Sequence, residues 1–173
     1  MTEVLIRDKP ALNTGLIPCP SDDPAVMPVE HLEARICELA GHLTAATCQF
    51  LLLIADFDAR RGWASWEMPS CAAWLSWKCQ LASGTAREHV RVARALGSLP
   101  LICAEFAAGR LSYAKVRALT RIATPDTEAD LVQMATPMTA NQLERFAQAH
   151  RRVTRSEEED VRSRRKLSWR IED

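Results

Sequence analysis

Leu32-Glu33-Ala34-Arg35-Ile36-Cys37-Glu38-Leu39-Ala40-Gly41-His42-Leu43-Thr44-Ala45-Ala46-Thr47-Cys48-Gln49-Phe50-Leu51-Leu52-Leu53-Ile54-Ala55-Asp56-Phe57 is the stretch that decides the fold. Its apolar residues Leu32, Ile36, Leu39, Leu43, Ala46, Phe50, Leu53 and Phe57 step by alternating fours and threes, the spacing of one face of a helix. A helix over Val29 to Arg60 is therefore expected, about 45 Å long at 1.5 Å per residue. Leu51 and Ile54 widen the stripe, so the helix should meet more than one neighbour. The pattern reads first as the central core helix of a helical domain; a homodimeric coiled coil through residues 29–60 fits the same spacing.

Downstream, helices alternate with stop signals. Gly62 to Pro69 reads as a loop carrying Trp63 and Trp66, and Ser70 caps a short helix to Cys79 with Trp74 and Trp77 at i, i+3. That pair is expected to pack on the core rather than to stack on bases. Ser83 or Thr85 opens the next helix, which Gly97 to Pro100 closes. Leu101 to Ala108 follows and stops at Gly109. Ser112 caps a helix that Pro125 ends, and two more are expected over residues 126–136 and 140–153, the latter capped by Thr139 or Asn141. The class is all-α: one long N-terminal core helix, then short helical hairpins, one of them helix-turn-helix-like. Residues 1–28, with five prolines, read as a flexible leader; 29–153 form the helical domain. Residues 154–173 form a charged helical tail with Glu158/Arg162 and Asp160/Arg164 at i, i+4.

A net charge of zero hides a gradient. Residues 1–60 hold four basic and nine acidic side chains, whereas 78–121 hold eight basic and two acidic. Arg87, Arg91 and Arg94 share one helical face, and Arg117 and Arg121 share another with Tyr113; a faint 30-residue repeat relates Arg87 to Arg117 and Arg91 to Arg121. Phosphate contact needs local positive potential, so duplex DNA is the expected partner, with Thr85, Arg87, Arg91, Arg94, Lys115, Arg117 and Arg121 as contact residues. In the helix-turn-helix reading, Leu81, Ala86 and Val90 lock Trp74–Cys79 to Gly84–Leu96 and leave Thr85, Arg87, Glu88 and Arg91 outward.

Catalytic signals are missing from the sequence. It has no Gly-rich phosphate loop, no Gly-x-Ser-x-Gly and no His-Glu-x-x-His; its four histidines are scattered and its six cysteines form no Cys-x-x-Cys. Neither a catalytic residue nor a cofactor or metal site is expected, and Asp56 and Asp58 near Arg60 and Arg61 read as surface or capping groups. The cysteines read as reduced, mostly buried thiols of a cytoplasmic protein. Phe50 to Ala55 is too short to span a bilayer, so no membrane association is expected.

Ordered blocks across residues 30–170 resemble a known family. Glu38-Leu39-Ala40-Gly41-His42-Leu43, Asp56-Phe57-Asp58, Gly62-Trp63, Ser70-Cys71-Ala72-Ala73-Trp74-Leu75, Ala86-Arg87-Glu88-His89-Val90-Arg91, Leu111-Ser112-Tyr113-Ala114-Lys115-Val116 and Leu167-Ser168-Trp169 are similar to successive blocks of the bacterial 13E12 repeat family. That family is defined by a domain of unknown function, number 222, which an HNH nuclease domain follows in many members. The resemblance implies a nuclease-associated helical domain. The chain stops at Asp173, where members typically continue, so the resemblance also implies a truncated member without the nuclease, a non-enzymatic module for binding or positioning DNA. The alternatives are a protein-interaction or oligomerisation module, or a remnant without activity.

Overall fold

The structure is a computed structural model that describes residues 24–164. Residues 1–23, the stretch from 165 to 173 and the tail pairs Glu158/Arg162 and Asp160/Arg164 lie outside what it describes. The chain forms two compact units, Met1–Cys37 and Glu38–Asp173. In the first, the Pro28 carbonyl accepts the N–H groups of His31 and Leu32 and so starts the long helix α1, Val29–Ala59.

After α1, a 3-10 turn at Gly62–Trp66 leads into α2 (Cys71–Lys78), α3 (Ser83–Leu96), α4 (Pro100–Ala107), α5 (Tyr113–Leu119), α6 (Glu128–Ala135) and α7 (Ala140–Arg164). No strand occurs among the described residues, and the protein is all-α. The local signals act where the sequence places them. Ser70 Oγ accepts the Ala73 N–H at 3.1 Å and Ser112 Oγ that of Lys115 at 3.4 Å. Thr139 and Gln142 cap each other reciprocally, at 3.3 and 2.8 Å, a capping box that starts α7. In contrast, Ser83 and Thr85 lie inside α3; Ala82 takes the N-cap position without a side-chain bond, its carbonyl accepting the Ala86 N–H. The last helix runs through residue 154 without a break.

The core of the second unit gathers one face from each helix. It includes Leu51 and Ile54 of α1, Leu75 of α2, Val90, Val92 and Leu96 of α3, Ile102 and Phe106 of α4, Val116 and Leu119 of α5, and Leu143 of α7. The long helix therefore enters the core through Cys48, Leu51 and Ile54, whereas Leu39, Leu43 and Leu53 of its four-and-three stripe are exposed. Phe50 and Phe57 sit at the margin, Phe57 against Trp74 with ring centroids 4.4 Å apart.

Gly109 fixes how α4 turns back beneath α1. Its φ is +75°, and two bonds close the helix end: Gly109 N–H to the Phe106 carbonyl at 3.0 Å and Arg110 N–H to the Glu105 carbonyl at 2.9 Å. A Cβ at this position would stand 2.9 Å from the Gly41 carbonyl oxygen, backbone against backbone. Gly109→Ala should therefore lower stability by about 2 kcal/mol, since left-handed strain and a backbone collision act together. Urea unfolding checks this; a midpoint equal to that of the wild type would remove the close approach from the account.

Candidate functional site

The basic segment folds so that α5 packs on α7 and its C-terminal end is bonded to α3, and four of its eight cations, Arg91, Lys115, Arg117 and Arg121, are half-buried. Arg91 donates twice to Glu88, Nε to Oε2 at 3.1 Å and Nη2 to Oε1 at 2.9 Å. The same guanidinium reaches the end of α5, donating to the Thr120 carbonyl at 3.2 Å, the Arg117 carbonyl at 3.0 Å and Thr120 Oγ1 at 3.1 Å. Arg121 joins the cluster from the turn just past α5, with Nη2 on Glu88 at 2.7 Å and Nη1 on Glu144 of α7 at 2.8 Å. Arg117 pairs with the other Glu144 oxygen at 3.6 Å. The Arg91 hydrogen bonds, with Arg121 beside them, hold the Glu88 carboxyl below the usual carboxylate range.

The other cations also have internal tasks. Arg94 Nε donates to Asp58 at 2.7 Å, and Asp58 accepts the Trp63 indole N–H at 3.2 Å, tying α3 to the 3-10 turn. Asp58 is thus an interhelical acceptor, whereas Asp56 keeps the expected surface role through Arg60. Lys115 Nζ donates to the carbonyls of Ala135 and Thr136 at 2.9 and 3.1 Å, closing the C-terminus of α6. Thr85 and Arg87 stay at the surface; Arg87 Nε donates to the Ser83 carbonyl one turn back.

The face expected to meet a phosphate backbone is therefore distributed. Arg91, Arg117 and Arg121 converge on Glu88 and Glu144, Arg94 on Asp58, and Lys115 on a helix end, which leaves Thr85 and Arg87 as the candidates not tied to another element. Arg91 and Glu88 are not the outward groups of a recognition helix, because the α5 carboxyl end draws the guanidinium in. The sequence count of residues 78–121 omits Asp58 and Glu144, which fold back onto the segment. The 30-residue repeat has a physical expression here: Arg91 and Arg121 donate to the same Glu88 oxygen.

Beside this cluster, His89 Nδ1–H donates to the Thr85 carbonyl at 2.9 Å and lies 3.2 Å from the Tyr113 hydroxyl. Phe50 meets the imidazole edge-on at 6.0 Å between centroids. Burial pushes the His89 pKa down and the Tyr113 pKa up. Cys48 and Cys71 are buried thiols pushed up to about 11, mainly by desolvation, while Cys37 and Cys79 are exposed, against the expectation of mostly buried cysteines. Among the described residues no three His, Cys, Asp or Glu side chains gather in a way that could hold a metal ion.

A family model, described as a domain of unknown function (DUF222), matches residues 31–164, and the chain belongs to that family. Comparison with curated proteins and with solved structures gives no match.

The titrating pair gives the domain a defined acid sensitivity. A folded-state pKa below 6.5 at His89 means that the unfolded chain binds the extra proton first. That contribution is complete above pH 6.5 and is lost as pH falls through the folded value. Glu88, depressed from 4.5, adds a second loss at lower pH. Urea midpoints should therefore fall in two stages below neutrality, with His89→Phe flattening the first and Glu88→Gln the second. A midpoint unchanged from pH 7 to about 5 would contradict the half-buried imidazole that burial holds neutral.

Proposed function

We propose that the domain is a non-catalytic association module that pairs with a second copy of itself through the outward face of α1. The observation that carries this reading is the exposure of Leu39, Leu43 and Leu53, at 55%, 62% and 70%, along the four-and-three stripe. Isolated exposed leucines are common on soluble proteins, but a row of them at heptad spacing is the seam that a like helix fits.

Three features favour a like partner. From Leu39 to Ala55 the helix has no charged side chain, so a highly charged partner finds no complement there. Leu39 and Leu53 stand seven residues either side of Ala46. A two-fold axis at Ala46 sets Leu39 of each copy over Leu53 of the other, and the small alanine lets the axes approach to about 8–10 Å. Burying this row in a dimer removes the apolar exposure from water without demanding new polar partners.

Light scattering and sedimentation equilibrium test the reading. The wild type should have the mass of a dimer at about 100 μM, and Leu43→Glu should be monomeric with unchanged helicity and a melting temperature that no longer varies with protein concentration. A wild type that is monomeric at that concentration overturns it. So does wild-type protein that floats with lipid vesicles and does not dimerise, since α1 is long and apolar enough by length and composition to cross a bilayer.

A further inference from the structure

The two tryptophans of α2, expected to share a packing role, are separated by the fold. Trp74 turns in to Phe57 and the core, while Trp77 stays 50% exposed. Beside it stands Trp66, 47% exposed, with ring centroids 5.8 Å apart and the planes inclined at 64°. Lys78 Nζ lies 4.0 Å from the Trp77 centroid and 4.2 Å from that of Trp66, so one ammonium serves both rings. Two half-exposed indoles with a cation between them do no core packing that would account for their position.

Trp77 also lines a groove of about 560 Å³ between α2 and the start of α3, together with Ala72 and Ala73, the hydroxyls of Ser70, Ser76 and Ser83, and Arg87. Past Arg87 the groove continues into a cleft of about 600 Å³ bordered by Arg91 and Arg94. Arg87 differs from those two in its partner: its Nε donates to the Ser83 backbone carbonyl and no carboxylate among the described residues pairs with it, whereas Arg91 and Arg94 are neutralised by Glu88 and Asp58. Among the described residues Lys78 has no carboxylate partner either. The groove therefore brings together a flat aromatic surface, small apolar walls, hydroxyls and a cation without a carboxylate partner.

We propose that the groove between α2 and α3 binds single-stranded nucleic acid, with a base stacked on Trp77 and the flanking phosphates held by Arg87 and Lys78. A duplex fits these groups poorly. Its bases show edges rather than faces, and its backbone requires a row of free cations, whereas Arg91, Arg94, Arg117 and Arg121 already serve carboxylates. A single strand exposes the base faces that an indole can take, and it needs only a few phosphate contacts to be held in register. The site lies on α2 and α3 and does not depend on pairing through α1.

The test is titration of a labelled oligothymidine of about 12 nucleotides, followed by anisotropy and by tryptophan fluorescence. Binding should quench the fluorescence and weaken as salt rises. Trp77→Ala and Arg87→Ala should each weaken it at least about tenfold without changing the melting temperature. Arg87→Ala should also reduce the slope of log K against log salt by about 0.7, the loss of one phosphate contact. Leu43→Glu should bind as the wild type does. Absence of binding at low salt, unaltered affinity in both groove variants, preference for the duplex of the same sequence, or loss of binding in Leu43→Glu each overturns the assignment.

Discussion

Helices of seven or eight residues do not persist alone in water, because their unpaired end groups outweigh the few bonds they make inside. α4, α5 and α6 are of that length, and each has an end closed by a side chain from another helix. Arg91 of α3 takes the last carbonyls of α5, Lys115 of α5 takes those of α6, and Glu128 of α6 accepts the Ile102 N–H near the start of α4 at 2.7 Å. Glu128 is only 2% exposed, so its bond is made away from water, where an unpaired carboxylate would be costly. The three caps form a relay that runs from α3 to α5, from α5 to α6 and from α6 to α4. Arg121, just past α5, then links Glu88 of α3 to Glu144 of α7, and Arg117 of α5 pairs with the same Glu144.

This relay changes the meaning of the basic segment. A row of arginines on a helix has two uses, contact with an external anion or closure of neighbouring helix ends, and both produce the same i, i+4, i+7 spacing. The deciding partners are distant in the chain: 33 residues separate Arg121 from Glu88 and 23 separate it from Glu144. Spacing along one helix contains no information about them. What could be read locally was the caps at Ser70, Ser112 and Thr139 and the stop at Gly109, because each depends on residues within one turn. The start of α3 is not legible from Ser83 or Thr85, because Ala82 fills the cap position by backbone alone.

The long helix was legible in its period and ambiguous in its orientation. Its four-and-three stripe is the larger apolar face, yet Cys48, Leu51 and Ile54 form the buried one. A hydrophobic period says that a face seeks cover, not whether the cover comes from its own chain. Trp74 and Trp77 illustrate the same limit at smaller scale: i, i+3 spacing on α2 allowed one ring to reach Phe57 and left the other outside. The features left over once packing and capping are satisfied are the leucine row of α1 and the aromatic groove of α2 and α3. Those two surfaces carry the functional proposals.

The central claim, that the basic residues of α3 and α5 act first as caps and clamps, is tested most directly by comparing the unfolding free energies of Arg91→Met and Arg87→Met. Both substitutions remove one guanidinium from the same helix and keep a straight apolar stem. Arg91→Met should lose about 2 kcal/mol, the scale of charge-assisted bonds to half-buried groups, while Arg87→Met should stay within about 0.5 kcal/mol of the wild type. Equal stabilities for the two variants would contradict the account.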